Sequence, residues 1–106
     1  MEKTVPNQHT RRDALFQLLL EIPKGSFTTY GELARTLGTS PRAVASMLAS
    51  NTEQDIYPCY KVVASDGRAS GYNLGTEEKL RRLAADGVFV DGGKVDITLT
   101  YRFLHP

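Results

Sequence analysis

The first part of the chain carries apolar residues three and four positions apart, the spacing of amphipathic helices. One helix is predicted to begin at Arg11 and to end at the segment Pro23-Lys24-Gly25, and a second to end at Gly38. Thr29, followed three residues later by Glu32, fits a capping box at the start of the second helix. The inward-facing positions are Leu15, Leu18, Leu19 and Ile22 in the first helix and Tyr30, Leu33, Ala34 and Leu37 in the second.

A third helix is predicted where Ser40 can act as the cap and Pro41 can occupy the first helical position. Its inner face would consist of Val44, Met47 and Leu48, and Asn51 would end it. Two short helices separated by three residues are typical of a helix-turn-helix, in which the second helix usually enters a DNA groove.

The second half of the chain mixes short β patterns with one further helix. Residues 57–63 combine aromatic and β-branched side chains before a turn signal at 65–67, which predicts a short hairpin or wing. Thr76 opens a fourth helix that Gly87 ends, and residues 88–101 form a second predicted hairpin around a turn at 91–93. The predicted fold is α/β: a winged helix-turn-helix domain with three or four helices and short β-hairpins.

The composition favours one small globular domain. The chain has 106 residues, of which 41% are hydrophobic. We expect a flexible N-terminal arm at residues 1–10 and the domain at residues 11–106. No apolar stretch approaches the roughly 20 residues needed to span a bilayer, and residues 1–12 lack the apolar segment of a signal peptide. A cytoplasmic protein without a membrane partner is expected.

The few cysteines and histidines argue against a metal site. Cys59 is the single cysteine, so neither an internal disulfide nor a thiolate zinc site can form, and His9 and His105 lie near opposite ends. No metal or cofactor is predicted. The net charge of +1 means that a DNA-binding protein of this composition must concentrate its positive charge on one face.

The outward positions of the third helix combine small side chains with one arginine. Ala43 and Ser46 would allow the helix to approach a surface closely, and Arg42 would reach beyond them. This profile suits a minor groove with an inserted side chain better than major-groove recognition, which usually needs several Arg, Asn or Gln residues. When no related protein is considered, this pattern is explained slightly better by an Ala-rich helix that packs on the domain with a solvated Arg42 than by a DNA-binding helix.

Cys59 is the candidate nucleophile. A thiol with a pKa of about 8.5 offers only a small thiolate fraction at neutral pH, so activation requires a base or a cation nearby. In a strand, Lys61 would point to the same face as Cys59, whereas Tyr60 is a poor base. From the residues alone, a small buried hydrophobic role for Cys59 is favoured.

The segment Tyr57-Pro58-Cys59-Tyr60-Lys61-Val62-Val63 resembles the Pro-Cys-His-Arg-Val-Val active-site segment of the O6-alkylguanine-DNA alkyltransferases. Three further segments resemble the family's second helix, recognition helix and substrate loop, in that order: Thr28-Thr29-Tyr30-Gly31-Glu32-Leu33-Ala34, Pro41-Arg42-Ala43-Val44 and Ser70-Gly71-Tyr72. The resemblance covers roughly residues 11–91. Several motifs in the right order on the predicted elements are a strong family signal.

The resemblance implies roles for the residues that would contact DNA and accept the alkyl group. Cys59 would take the group irreversibly from guanine O6, so that each molecule acts once. Arg42 would fill the space left by the flipped base, and Tyr30 would help to rotate the nucleotide by crowding its phosphate. Ala43 and Ser46 would lie beside Arg42 on the DNA-binding face.

The resemblance also implies a set of pocket residues. Asn51 would tie the recognition helix to the active-site loop, in addition to ending the helix. Tyr72 would support the leaving guanine through its hydroxyl, with Ser70 in the same loop and Lys79 near the pocket. The last three residues could equally be surface residues of a wing and a helix.

The chain departs from the family pattern in its catalytic residues and in its length. Tyr60 replaces the family's histidine, Lys61 its arginine and Asp86 its glutamate, so we expect slow transfer, or transfer at elevated pH. We expect no counterpart of the family's usual N-terminal domain, and residues 97–103 resemble the tail of the alkyltransferase-like proteins. Those relatives bind O6-alkylguanine without transferring the group and mark it for nucleotide excision repair, and they usually lack the cysteine.

Three functions follow as hypotheses. The first and preferred one is a single-turnover methylated-DNA–protein-cysteine S-methyltransferase that binds double-stranded DNA containing O6-alkylguanine. The second is a non-enzymatic alkyltransferase-like protein that recruits nucleotide excision repair proteins. The third is a winged-helix regulator with Cys59 in its core, which is weakened because the third helix lacks base-reading side chains. No dimerisation segment is visible, so a monomer is expected.

Overall fold

The structure, a computed structural model, describes residues 10–103. Within them, four α-helices pack around a pair of short parallel strands, which confirms the predicted fold class. The predicted arm lies outside the described residues, except for Thr10. The elements are α1 (Arg11–Glu21), β1 (Thr28–Thr29), α2 (Tyr30–Leu37), α3 (Pro41–Ala49), β2 (Val62–Val63) and α4 (Thr76–Ala85), with 3-10 turns at Cys59–Lys61 and Ile97–Leu99.

The helix ends are fixed by side-chain caps that the sequence predicts. Thr29 caps α2 by accepting a hydrogen bond from the backbone N–H of Glu32, and Ser40 caps α3 in the same way through Ala43. The capping box predicted for α2 is only half formed, because the Glu32 carboxylate accepts from Arg35 and Phe103 instead of from the Thr29 backbone. Gly38 ends α2 with a φ of 70°, a left-handed conformation that glycine adopts without strain. The helix-turn-helix geometry of α2 and α3 is therefore encoded locally. Thr10, predicted as part of the arm, instead caps α1 through a capping box with Asp13.

The strand pairing differs in detail from the predicted hairpins. β2 pairs with β1 in parallel, with Thr28 opposite Val62 and Thr29 opposite Val63. The predicted turns at 65–67 and 91–93 do form, but antiparallel pairing around them is limited to the isolated bridges Arg68–Lys94 and Asp91–Lys94. The valines of β2 are fully buried, and their burial beside β1 outweighs extension of a local hairpin.

The segment after the second 3-10 turn packs back onto β1 and α2. The backbone N–H of Tyr101 donates to the carbonyl of Phe27 at 2.7 Å, and that of Phe103 donates to the buried carboxylate of Glu32 at 3.0 Å. Arg35 and Arg102 also donate to Glu32. This carboxylate therefore fixes residues 101–103 against the first helix of the helix-turn-helix.

The core has two parts, one on each side of the strand pair. The larger part joins α1, α2 and α3 and includes Cys59 and Tyr72, and the smaller part joins α4 to the turns that follow it. No helix within residues 10–103 is long and apolar enough to cross a membrane. The same residues contain no group of three or more His, Cys, Asp or Glu side chains arranged for a metal ion.

Candidate functional site

The outer face of α3 carries the residues predicted to contact DNA. Arg42 and Ser46 are exposed and Ala43 is half-buried, while Val44 and Leu48 hold the opposite face in the core. Pro41 at the first helical position and Ser40 as the cap set the start of the helix. An exposed arginine between small side chains can approach a surface closely. The role of Arg42 in DNA binding stays a prediction.

Cys59 lies behind α3, in a 3-10 turn rather than in a strand. Its side chain is 4% exposed, and Sγ lies 2.9 Å from Nδ2 of Asn51. Burial raises the pKa of the Cys59 thiol, while the hydrogen bond from Asn51 and the charge of Lys79 act in the opposite direction. The thiol is therefore harder to ionise than an exposed one, but it has two partners that favour the thiolate.

Asn51 joins the end of α3 to the segment that carries Cys59. Its backbone N–H donates to Leu48 at 3.0 Å, and Nδ2 donates to the carbonyl of Tyr57 at 3.0 Å as well as to Sγ. Its Oδ1 accepts from the backbone N–H of Glu53 at 2.8 Å. Asn51 thus follows the helix end, since Ser50 is the C-cap, and its side chain spans helix and loop.

Lys79 lies in a group of side chains beside the thiol, which we call the Cys59 pocket: Cys59, Tyr30, Ser70, Tyr72 and Lys79. Lys79 is fully buried, and its Nζ donates to the Ser70 carbonyl at 2.7 Å and to the Tyr30 hydroxyl at 3.5 Å. Burial lowers the pKa of Lys79 to about 8, and Cys59 opposes that shift. A buried cation next to a thiol can stabilise negative charge on sulfur.

The two tyrosines of the Cys59 pocket differ in their hydrogen bonds. The Tyr30 hydroxyl donates to the Ser70 carbonyl at 3.0 Å, so the residue predicted to contact a phosphate also closes the pocket. The Tyr72 hydroxyl is buried and has no hydrogen-bond partner among the described residues. Such an atom carries a desolvation cost that a bound ligand could relieve. Burial raises the pKa of both hydroxyls, so both remain protonated at neutral pH.

Gly71 explains why residues 70–75, which we call the substrate loop after the family segment that they resemble, can approach Tyr30. Its φ is 75°, and a Cβ at this position would lie 2.9 Å from the Tyr30 hydroxyl oxygen. Any larger residue would therefore be strained in its backbone and would push the tyrosine out of the pocket.

Tyr60 and Asp86 contact each other as the resemblance implies. The other described partners of Asp86 are Lys61 and the backbone of Gly25, and not Cys59. The Tyr60 hydroxyl donates to Oδ1 of Asp86 at 3.3 Å, and Lys61 Nζ lies 3.0 Å from Oδ2. Lys61 also donates to the carbonyls of Ile22 and Pro23. The prediction that Lys61 shares a face with Cys59 is wrong, because a 3-10 turn rotates successive side chains differently from a strand.

Sequence reasoning missed the residue that ties the substrate loop to α3. Nδ2 of Asn73 donates to the carbonyls of Ala49 at 3.0 Å and of Asn51 at 3.4 Å, which lie at the end of that helix. An asparagine beside glycines is ordinary in a loop, and its partners lie more than 20 positions away. No local pattern could have identified it.

Comparison with known proteins gives a consistent picture. The family model described as 6-O-methylguanine DNA methyltransferase, DNA binding domain, matches residues 10–88. A bifunctional methyltransferase/endonuclease of Picrophilus torridus is 47% identical over 91 residues, which cover 84% of this chain and 30% of that protein. The chain thus spans about a third of the length of this relative.

Two solved structures share the fold. The O6-methylguanine-DNA methyltransferase of Pyrococcus kodakaraensis is 38% identical with a TM-score of 0.64, over 80% of this chain and 48% of that one. The S. pombe protein Atl1, solved in complex with damaged DNA containing O6-carboxymethylguanine, has a TM-score of 0.77 at 24% identity. That match covers 87% of this chain and 94% of the Atl1 chain, and at this identity it supports the fold alone.

Proposed function

Since the chain belongs to the 6-O-methylguanine DNA methyltransferase family through its DNA-binding domain, we propose that it repairs DNA by accepting an alkyl group from guanine O6 onto Cys59. The reaction would be a single-turnover transfer to a protein cysteine. The substrate would be an O6-alkylguanine in double-stranded DNA, rotated out of the helix to reach the buried thiol.

The contact of 2.9 Å between Asn51 Nδ2 and Cys59 Sγ is the observation that carries this proposal. Asn51 immediately follows the helix-turn-helix, so one side chain connects the predicted DNA-binding helix to the thiol. The amide also donates a hydrogen bond that favours the thiolate over the thiol.

The remaining residues of the Cys59 pocket suit a flipped purine. The buried Tyr72 hydroxyl offers a hydrogen-bond donor without a partner among the described residues, as recognition of a ring nitrogen or an oxygen requires. The Lys79 ammonium supplies positive charge where the leaving guanine gains electron density. Ser70 would hold the loop through its carbonyl.

The proposed step balances without a cofactor. The thiol loses its proton, Sγ attacks the alkyl carbon, and a new S–C bond forms as the C–O6 bond breaks. The electron pair of the broken bond stays on guanine, which gains one proton from solvent. The thioether that forms is stable, so the protein is consumed in the reaction.

The outer face of α3 is proposed to bind the DNA. Arg42 would enter the helix and occupy the space of the rotated base, while Ala43 and Ser46 allow the close approach. Tyr30, at the start of α2, would contact the phosphate of the rotated nucleotide with the part of its side chain that the pocket leaves accessible.

The alternative function is recognition without transfer. The raised pKa of the Cys59 thiol, and the tyrosine at position 60 in place of the family's histidine, favour it. In that case Cys59 would line the alkyl pocket, and the bound protein would mark the lesion for nucleotide excision repair.

The intact mass of the protein after incubation with a duplex containing O6-methylguanine tests the proposal. We expect a gain of one methyl group, faster at elevated pH because burial raises the pKa of the thiol. Cys59→Ala should abolish the gain and keep lesion binding, and Arg42→Ala should weaken binding by about tenfold or more, as loss of a 1–3 kcal/mol DNA contact implies.

An unmodified protein that still binds the lesion selectively would favour the alternative. Equal binding of Arg42→Ala and the wild-type chain would contradict the base-rotation model. Loss of binding in Cys59→Ala through unfolding, visible by circular dichroism, would support a structural role for the cysteine.

A further inference from the structure

The turn that carries Cys59 packs against α4, the helix that carries Lys79. Both described hydrogen-bond partners of Lys79, the Ser70 carbonyl and the Tyr30 hydroxyl, are uncharged. Its ammonium lies 5.5 Å from the centre of the Tyr30 ring and 6.0 Å from that of the Tyr72 ring, which places it among the side chains of the Cys59 pocket. In that position its charge favours the thiolate of Cys59. A fully buried lysine without a carboxylate partner is costly, which suggests a use for its charge.

The Tyr60–Asp86 pair, by contrast, does not act on the thiol. Burial and the neighbouring Asp86 carboxylate raise the pKa of Tyr60 to about 12, so its hydroxyl keeps its proton at physiological pH. Asp86 itself accepts hydrogen bonds from Tyr60, Lys61 and the backbone N–H of Gly25, the last at 2.7 Å. Its oxygens are thus occupied by structural contacts.

We propose that the ammonium group of Lys79, and not a relay through Tyr60 and Asp86, stabilises the thiolate of Cys59. At neutral pH, below the Lys79 pKa of about 8, the thiol proton leaves to solvent while Lys79 stays protonated, and the resulting ion pair is the reactive form of the site. The inference rests on the proposed function for its catalytic meaning, but the ionisation of the thiol can be measured without DNA.

The other groups that face Cys59 cannot replace this charge. Asn51, after α3, donates a neutral hydrogen bond. Tyr30 from α2 and Tyr72 from the substrate loop both have raised pKa values and are neutral near pH 7. Among the ionisable groups of residues 10–103 that interact with Cys59, Lys79 is therefore the charged one.

The pH dependence of Cys59 alkylation by iodoacetamide tests the proposal directly, because the chain has a single cysteine. The full chain is compared with Lys79→Met, Lys79→Arg and Tyr60→Phe. The midpoint of the profile reports thiol ionisation, whereas its plateau reports access to the buried sulfur. We expect Lys79→Met to raise the midpoint by about one pH unit, a tenfold loss of thiolate at fixed pH.

Lys79→Arg, which keeps the charge, should retain most of the wild-type midpoint, and Tyr60→Phe should leave it unchanged. An unchanged midpoint in Lys79→Met, or an equal rise in Tyr60→Phe, would overturn the proposal. If Lys79→Met does not fold, Lys79→Gln, which keeps a donor for the Ser70 carbonyl, replaces it, and Tyr60→Phe tests the relay by itself.

The same variants separate this proposal from the transferase proposal. If the wild-type chain transfers methyl groups, Lys79→Met should be slower at neutral pH and should recover at elevated pH, whereas a purely structural defect would be slow throughout. If the wild-type chain transfers nothing but its thiol midpoint depends on Lys79, the electrostatic pairing stands and the transferase function fails.

Discussion

The structure buries two lysines near the Cys59 turn, Lys61 and Lys79, and only Lys61 has a carboxylate partner within residues 10–103. Lys61 lies 3.0 Å from the Asp86 carboxylate and also donates to two backbone carbonyls, so its charge is compensated. Lys79 is more deeply buried, and no carboxylate forms an ion pair with it within residues 10–103. The compensated lysine joins α1 to the end of α4, whereas the uncompensated one faces the thiol.

This difference in counter-ions indicates that Lys61 stabilises the fold, whereas Lys79 affects the ionisation of its neighbours. A buried charge with a counter-ion and further hydrogen bonds holds parts of the fold together, and its loss leaves the partner charge unpaired. A buried charge without a counter-ion costs folding free energy and shifts its own pKa and that of its neighbours. We therefore expect substitutions of the two lysines to have opposite consequences.

The largest expected effect is on the free energy of unfolding. Lys61→Met should lower it by about 3 kcal/mol, the lower end of the range for breaking a buried pair, because the partly buried Asp86 carboxylate would lose its cation but keep the donors from Gly25 and Tyr60. Lys79→Met should change it by about 1 kcal/mol or less, because an apolar side chain of similar length replaces an uncompensated charge. Urea unfolding measures both.

A suitable control is Lys94→Met, an exposed lysine outside both groups, which should leave the unfolding free energy unchanged. Equal losses of unfolding free energy in Lys61→Met and Lys79→Met would contradict the proposed difference between the two lysines, since Lys79 would then also stabilise the fold.

An intermediate effect is expected in the pH dependence of stability. The pKa of Lys79 is lowered from 10.5 to about 8 in the folded chain, so between these values the unfolded chain binds more protons. The wild-type chain should therefore gain stability relative to Lys79→Met as pH rises through this range, and lose that gain as pH falls through about 8. Both chains carry Cys59→Ala in this comparison, because Lys79 also changes the ionisation of Cys59; the difference between them then isolates Lys79.

Urea unfolding at several pH values measures this difference. If the difference in unfolding free energy between wild type and Lys79→Met did not change with pH, the lysine would keep its ordinary pKa in the folded chain. If the wild-type chain instead lost stability relative to Lys79→Met as pH rises, Lys79 would gain a negatively charged partner on folding.

The smallest expected effect concerns access to the thiol. Asn73 fixes the substrate loop to the end of α3, and Cys59 is 4% exposed, so a reagent must wait for the loop to open. Asn73→Ala should raise the plateau rate of iodoacetamide labelling about two- to fivefold, as the loss of one net hydrogen bond of roughly 0.5–1 kcal/mol allows. The pH midpoint should stay unchanged.

Leu74→Ala, in the same loop and half-exposed, is the matched control and should leave the plateau rate unchanged. A shifted midpoint in Asn73→Ala would mean that the loop also sets the electrostatics of the pocket. An unchanged plateau would mean that the thiol becomes accessible by another movement.

The sequence by itself determined the elements that depend on local interactions. Capping residues such as Thr29 and Ser40, the helix-ending Gly38 and the apolar spacing act over three or four positions, so the pattern predicts four helices and the helix-turn-helix. The motif around Cys59 likewise identified the family, which the match over residues 10–88 confirms.

The tertiary structure alone decided which charges act on the thiol. Pro58 and the turn after it orient Lys61 away from Cys59 and towards Asp86, and the packing of α4 brings Lys79, 20 positions along the chain, to the thiol instead. Ionisation depends on distance and burial in space, and neither quantity can be derived from the spacing of residues in a short motif. Residue types predicted a candidate nucleophile, and the fold determined which lysine lies beside its pocket.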